Sequence, residues 1–403
     1  MLRRPALLLA LVVALAAGPA RGQTAPSAPS KPASAPAARG RAASIFDDPA
    51  ARALAIRGLD AVNDLRFDEA ERAAAEIEAA YPRHPAAPLL RGLALHWRVL
   101  LDLTNGRYDT AFMARMDEVV RRSDALLKRD KRNFDARFFR GAALGFKSRM
   151  HSNRNRWVPA ASAGKDALDD VLYVARRNPS NADYGFGKGV YDYFSDVARE
   201  RYAIARPLLL FFPDGDRPRG LAALTRAAEG GTFMRTEAAY QLAQIYYLYE
   251  EDYTQTMRYV RVLRERHPNN AFFLALEGRV QARWGRWAEA RAAFDEVLAA
   301  YDAGRAEYVG LAEQALFSNA RADLLDGQPD SALVRLARLD TLTGRFGQGQ
   351  SYFRVFGRLR QGQALDAAGR RDEALARYRE VLEMRDYADA HERARGYIER
   401  PYQ

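Results

Sequence analysis

A spacing of thirty-four residues constrains this chain more than any other feature. Leu274, Gly278, Gln281, Gly285, Ala290, Phe294, Val297 and Leu298 alternate small and bulky residues over two helical segments that meet at Gly285. Thirty-four positions upstream the same frame holds Tyr240, Gln244, Tyr247, Glu251, Thr256, Val260 and Leu263, and Pro268 separates the two copies. Ala290, Phe294, Val297 and Leu298 stand at i, i+4, i+7 and i+8, so they share one face of a helix. Small Gly278 and Ala290 let the paired backbones approach, while Phe294 and Leu298 fill the space beyond. One hairpin cannot bury its own apolar face, so such units must stack in a row with an inner and an outer surface.

The pattern recurs along the chain. Asp48 followed by Pro49 reads as an N-cap and first helical residue. Gly58 and Gly92 repeat the interval of thirty-four, and further small-residue markers stand at Gly141, Gly189, Gln244, Gly278, Ala320 and Gly362. This spacing resembles the tetratricopeptide repeat. The resemblance implies an all-α, right-handed α-solenoid of about eight helical hairpins, some with extended helices, over residues 44–403. Residues 389–399 are expected to form a closing helix with one wet face. A second likeness rests on Phe211, Phe212, Asp214, Gly215, Asp216, Arg217, Gly220 and Leu221. This segment is similar to one in the eukaryotic inclusion-body-clearance family of tetratricopeptide proteins, and in secreted bacterial repeat proteins. The family resemblance implies scaffolding at a membrane surface. Turn chemistry alone reads Asp214-Gly215-Asp216 as the cap of a helix starting near Pro218.

The chain start sets an address. Arg3 and Arg4 precede an apolar run from Ala6 to Ala17, and Ala20 and Gly22 are placed for cleavage. Residues 1–22 are therefore expected to be a secretory signal peptide, the run being well short of the ~20 residues that cross a bilayer. Residues 23–43, rich in Ala, Pro and Ser, read as a disordered linker. The sequence has no cysteine, which excludes a disulfide, a thiolate nucleophile and a lipidated cysteine. The expected location is periplasmic or extracellular, and a peripheral place at an outer membrane stays open. Of the formal charge of +11, six basic residues lie before Ser44, so residues 44–403 carry +5. Overall basicity is thus a weak argument for nucleic acid, which an exported protein is not expected to meet.

Motifs for catalysis are absent. The five histidines, His84, His96, His151, His267 and His391, are not spaced to ligate one metal from a helix face. Gly185-Phe186-Gly187-Lys188-Gly189 follows no strand and so is not a dinucleotide loop. Gly344-Arg345-Phe346-Gly347-Gln348-Gly349 reads as a flexible loop. No catalytic residue, cofactor or metal ligand is assigned, and the expectation is a non-catalytic scaffold that binds a protein or peptide on its concave face, with an enzyme that joins the Arg149–Arg156 region to Asp214 or Asp216 as a further alternative.

Two features rise above that background. Inward positions of units two to five carry aromatic residues, among them His96, Trp97, Phe146, Phe186, Tyr193, Phe194 and Tyr249, and later units replace them with Arg279 and Arg283. One reading is an open groove for a peptide, with Trp97, Phe146, Phe186, Tyr193, Phe194, Tyr249, Arg279 and Arg283 as its contacts. The other is that the helices curl inward and bury these rings against each other. The second feature is a run from Arg121 to Arg156 with twelve basic and three acidic residues. It suggests an anion-docking face centred on Arg149, Arg154 and Arg156, for lipid headgroups, an acidic glycan or an acidic protein tail. Its alternative is a solvated face paired locally with acids. A lipid or acidic-glycan ligand held in an aromatic cavity with a basic rim is the rival to the peptide groove.

Overall fold

The computed structural model describes residues 44–103, 105–201, 213–344 and 351–403. The expected signal peptide and linker, Phe211 and Phe212, and most of the Gly344–Gly349 loop lie outside the described residues. Those residues form seventeen helices and no strand. In chain order α1 (Pro49–Asn63) pairs with α2 (Phe67–Ala80), α3 (Ala86–Leu101) with α4 (Asp109–Arg129), and α5 (Phe134–Asn153) with α6 (Trp157–Arg177). Next come α7 (Phe186–Arg201) with α8 (Arg217–Gly230), α9 (Arg235–Ile245) with α10 (Tyr253–Arg266), and α11 (Ala271–Arg283) with α12 (Trp287–Asp302). The last pairs are α13 (Val309–Leu325) with α14 (Pro329–Gly344) and α15 (Tyr352–Ala367) with α16 (Arg371–Glu383), and α17 (Ala390–Glu399) closes the row. All eight small-residue markers fall in the first helix of a pair.

Local chemistry explains the boundaries. Asp48, Asn133, Asp216, Asp252, Asn270 and Ser351 each accept a hydrogen bond from a first-turn backbone N–H, which satisfies donors a helix start leaves open. Gly285, at φ +83°, makes the left-handed turn between α11 and α12 that a side chain resists. Inside that hairpin a Cβ on Gly278 would stand 2.8 Å from the Phe294 ring, so the glycine seats the phenylalanine directly rather than merely facing Ala290. The Asp214–Asp216 segment is a cap, as turn chemistry expects. The Asp216 side chain accepts from Arg219 N at 2.8 Å, and its backbone N–H donates to Asp192 O at 3.1 Å.

The row does not stay open. Its first two pairs press against the fifth to seventh through contacts between residues far apart in sequence. Asn269 donates through its backbone N and its Nδ2 to the Asp64 carboxylate, at 3.0 and 2.7 Å, and Asn270 Nδ2 donates to Asn63 O at 2.6 Å. Helix α3 meets α13 and the short turn Ala306–Tyr308 before it. Gly310 lies so close that a Cβ there would be 2.6 Å from Leu101 O. Trp97 packs edge-on against Phe272 and Phe273, with ring centres 5.6 and 5.3 Å away. The inner face is therefore covered by the chain itself, and one apolar core runs from Ile45 to Ala364. A smaller core holds α15 to α17.

Candidate functional site

An apolar hollow of about 90 Å³ lies between α1, α3, α5 and the start of α9. Residues spaced three and four apart turn their side chains to it: Leu89, Leu93, His96 and Trp97 from α3, and Phe138, Phe139, Ala142 and Phe146 from α5. Phe46 covers one side and meets Phe233, ring centres 5.1 Å apart. The Phe233 and Met234 wall is held from outside by Asp183. That buried carboxylate accepts from the backbone N–H groups of Thr232, Phe233 and Met234 at 2.9, 3.0 and 2.8 Å. Its geometry explains a fixed wall at the start of α9, where a helix leaves donors unpaired.

Three polar side chains reach this lining, and two of them are already engaged. Asn63 Oδ1 accepts from Trp97 Nε1 at 3.2 Å. Glu237 is paired with Arg149, which also donates to Gln241 Oε1 at 3.1 Å and lies over the Tyr240 ring. Burial alone would lower the Arg149 pKa, but the Glu237 carboxylate reverses the shift, so the guanidinium stays charged. His96 differs. It is 3 % exposed, lies between the Phe112 and Phe146 rings, and has no hydrogen-bond partner on either ring nitrogen. Burial first, and then the nearby Arg149 charge, lower its pKa to about 3. The imidazole is neutral at ordinary pH and keeps one donor and one acceptor without a partner.

The residues expected to line an open groove separate into different settings. Trp97 and Phe146 line the hollow, and Trp97 is only 5 % exposed because α11 covers it. Tyr193, Phe194 and Tyr249 are buried together away from it, with ring centres 5.1, 6.2 and 5.4 Å apart. The π-helical turn Tyr246–Glu250 that ends α9 brings Tyr249 there and aims Glu250 at the Tyr193 hydroxyl. Burial and then that carboxylate push the Tyr193 pKa well up, so the hydroxyl stays protonated. Phe186 is half-buried at the start of α7, against the main core. Arg279 donates to Gln314 and lies over Phe272, while Arg283 meets Glu251 and lies over Tyr247. The inward rings thus meet other parts of the same chain.

At the expected anion-docking centre two of the three arginines have partners in the chain. Arg149 is engaged by Glu237. Arg154 holds Asp109 through two nitrogens, at 2.6 and 2.7 Å, and donates to the carbonyls of Leu103 and Asn105. Only Arg156 of the three is exposed. Asp214 pairs with Arg199, and Asp216 lies 3.6 Å from Arg219. Among the described residues, no three potential metal-binding side chains converge.

In the sequence His96 reads as one aromatic position among several, and nothing local singles out Glu237. The available signal was a single titratable side chain on the apolar face formed by Leu89, Leu93 and Trp97. A scan of protein-family models and a search of curated proteins returned no match.

Proposed function

We propose that this chain is a non-catalytic binding protein, a curled row of eight tetratricopeptide-like hairpins that takes a small, uncharged, largely apolar ligand in its internal hollow. The observation that carries this reading is His96, a neutral imidazole with an unused donor and an unused acceptor in an otherwise apolar wall. An unsatisfied buried polar atom costs about 1–3 kcal/mol. A ligand hydroxyl or carbonyl would recover that cost while its apolar body gains from leaving water. Net charge on the ligand has no counterpart, because Arg149 and Glu237 neutralise each other. The volume of about 90 Å³ suits a single ring or a short chain segment rather than a whole lipid.

A peptide in the inner groove would first have to part Asp64 from Asn269 and Trp97 from Phe273, whereas a small ligand needs no such opening. On the strength of its first residues the protein would do this work after export. The test is a matched pair of probes, phenol and benzene, titrated by calorimetry into the protein and into His96→Leu. Tighter binding of phenol than of benzene, with that preference lost in the variant, supports the reading. No binding of either probe, or a phenol preference that survives in the variant, overturns it.

A further inference from the structure

Half of the basic run is taken up by ion pairs with other parts of the chain. Arg122 is paired with Glu78 and Glu118, Arg137 and Arg140 with the buried Asp170, and Lys147 with Asp117. What remains gathers elsewhere than at Arg156. A surface pocket of about 330 Å³ opens between the end of α2, the turn before α3 and one face of α4. Arg121 and Arg129 stand on its α4 side, Arg83 stands on the turn, and Arg122 lies between them. Arg83, Arg121 and Arg129 are exposed and have no ion-pair partner among the described residues. The one carboxylate lining the pocket, Glu78, is already held by Arg91 and Arg122.

We propose that this pocket binds a phosphate-bearing polyanion. Arg121 and Arg129 lie about 12 Å apart along α4 at 1.5 Å per residue, with Arg83 facing them across the pocket. That spread suits an anion with charge at two points better than a single carboxylate. Guanidinium forks match phosphate oxygens in pairs, and three of them without carboxylates leave the pocket with charge to be met from outside. Leu126 contributes an apolar floor, on which a linker between phosphates or the edge of a headgroup can rest. The shared chemistry is the phosphate group, whether it comes from a soluble ligand or from a lipid headgroup. The site is separate from the His96 hollow and does not rest on it.

The test uses inorganic pyrophosphate titrated at low salt into the full chain, into Arg121→Ala and Arg83→Ala, and into Arg156→Ala as an exposed arginine outside the pocket. Pyrophosphate affinity should fall about tenfold in each pocket variant, stay unchanged in Arg156→Ala, and weaken as salt rises. The pocket side chains are exposed, so the variants should melt with the parent, and melting temperatures check this. A second arm measures binding to phosphatidylcholine vesicles doped with phosphatidic acid, with and without competing pyrophosphate. Competition at the vesicles identifies a lipid headgroup as the source. Pyrophosphate binding without vesicle binding identifies a soluble ligand. Absence of pyrophosphate binding, equal loss in Arg156→Ala, or equally tight binding of citrate would overturn the proposal.

Discussion

Replacing His96 by leucine should make the protein more stable and less sensitive to acid. At neutral pH the imidazole leaves two buried nitrogens unpaired, so an apolar side chain of similar size should stabilise the fold by about 1–3 kcal/mol. Acid adds a second effect. The folded-state pKa of about 3 lies below the ordinary 6.5, so the unfolded chain binds the proton first. Stability from this residue is therefore complete above pH 6.5 and declines as pH falls through the window down to about 3. At pH 5 the loss is about 2 kcal/mol, and it approaches about 5 kcal/mol below both values. Urea unfolding followed by far-ultraviolet circular dichroism at pH 7 and pH 5, for parent and His96→Leu, measures both effects. His267, similarly lowered to about 4 chiefly by burial, contributes to both proteins, so the comparison between them isolates His96. A variant that is less stable at pH 7 and loses as much stability as the parent on going to pH 5 would refute the reasoning.

Other substitutions test the walls of the hollow and the closure that forms it. Asp183→Ala deprives three backbone donors of their acceptor, so it should cost about 3 kcal/mol or more in urea unfolding and weaken phenol binding through the Phe233 wall. Gly310→Ala brings a methyl group against the backbone of Leu101 and Asp102. It should cost about 1–3 kcal/mol and raise hydrogen exchange at the contact between α3 and α13, whereas Gly396→Ala, where a Cβ meets nothing within 4 Å, should do neither. Glu237→Ala leaves the partly buried Arg149 charge without its carboxylate, and should destabilise by about 1–3 kcal/mol.

The hairpins were legible because their signals are local. Gly92, Gly141, Gly189, Gly278 and Gly362 each report a close approach within one pair of helices. Asp48, Asp216 and the turn at Gly285 likewise act over a few residues. The curl was not legible, because periodicity says which face a residue joins but not what that face meets. Trp97 reads as inward from its neighbours on α3, yet its cover comes from Phe272 and Phe273, far along the chain. Charge behaved the same way. Arg149 finds Glu237 eighty-eight residues later, and Arg154 finds Asp109 forty-five residues earlier, so a count confined to Arg121–Arg156 saw excess charge where the fold has ion pairs. His96 carried a weak signal, a lone titratable group on an apolar face, whose meaning depends on which nitrogens find partners.

Formation of a single crosslink tests the closure most directly. The sequence contains no cysteine, so Asp64→Cys with Asn269→Cys introduces the only two thiols. The account predicts that mild oxidation joins them within one chain, giving a faster-migrating monomer under denaturing conditions, while either single variant does not shift. Two thiols that remain free, or that pair only between chains, would mean that the row of hairpins is open and that its inner aromatic face encloses no hollow.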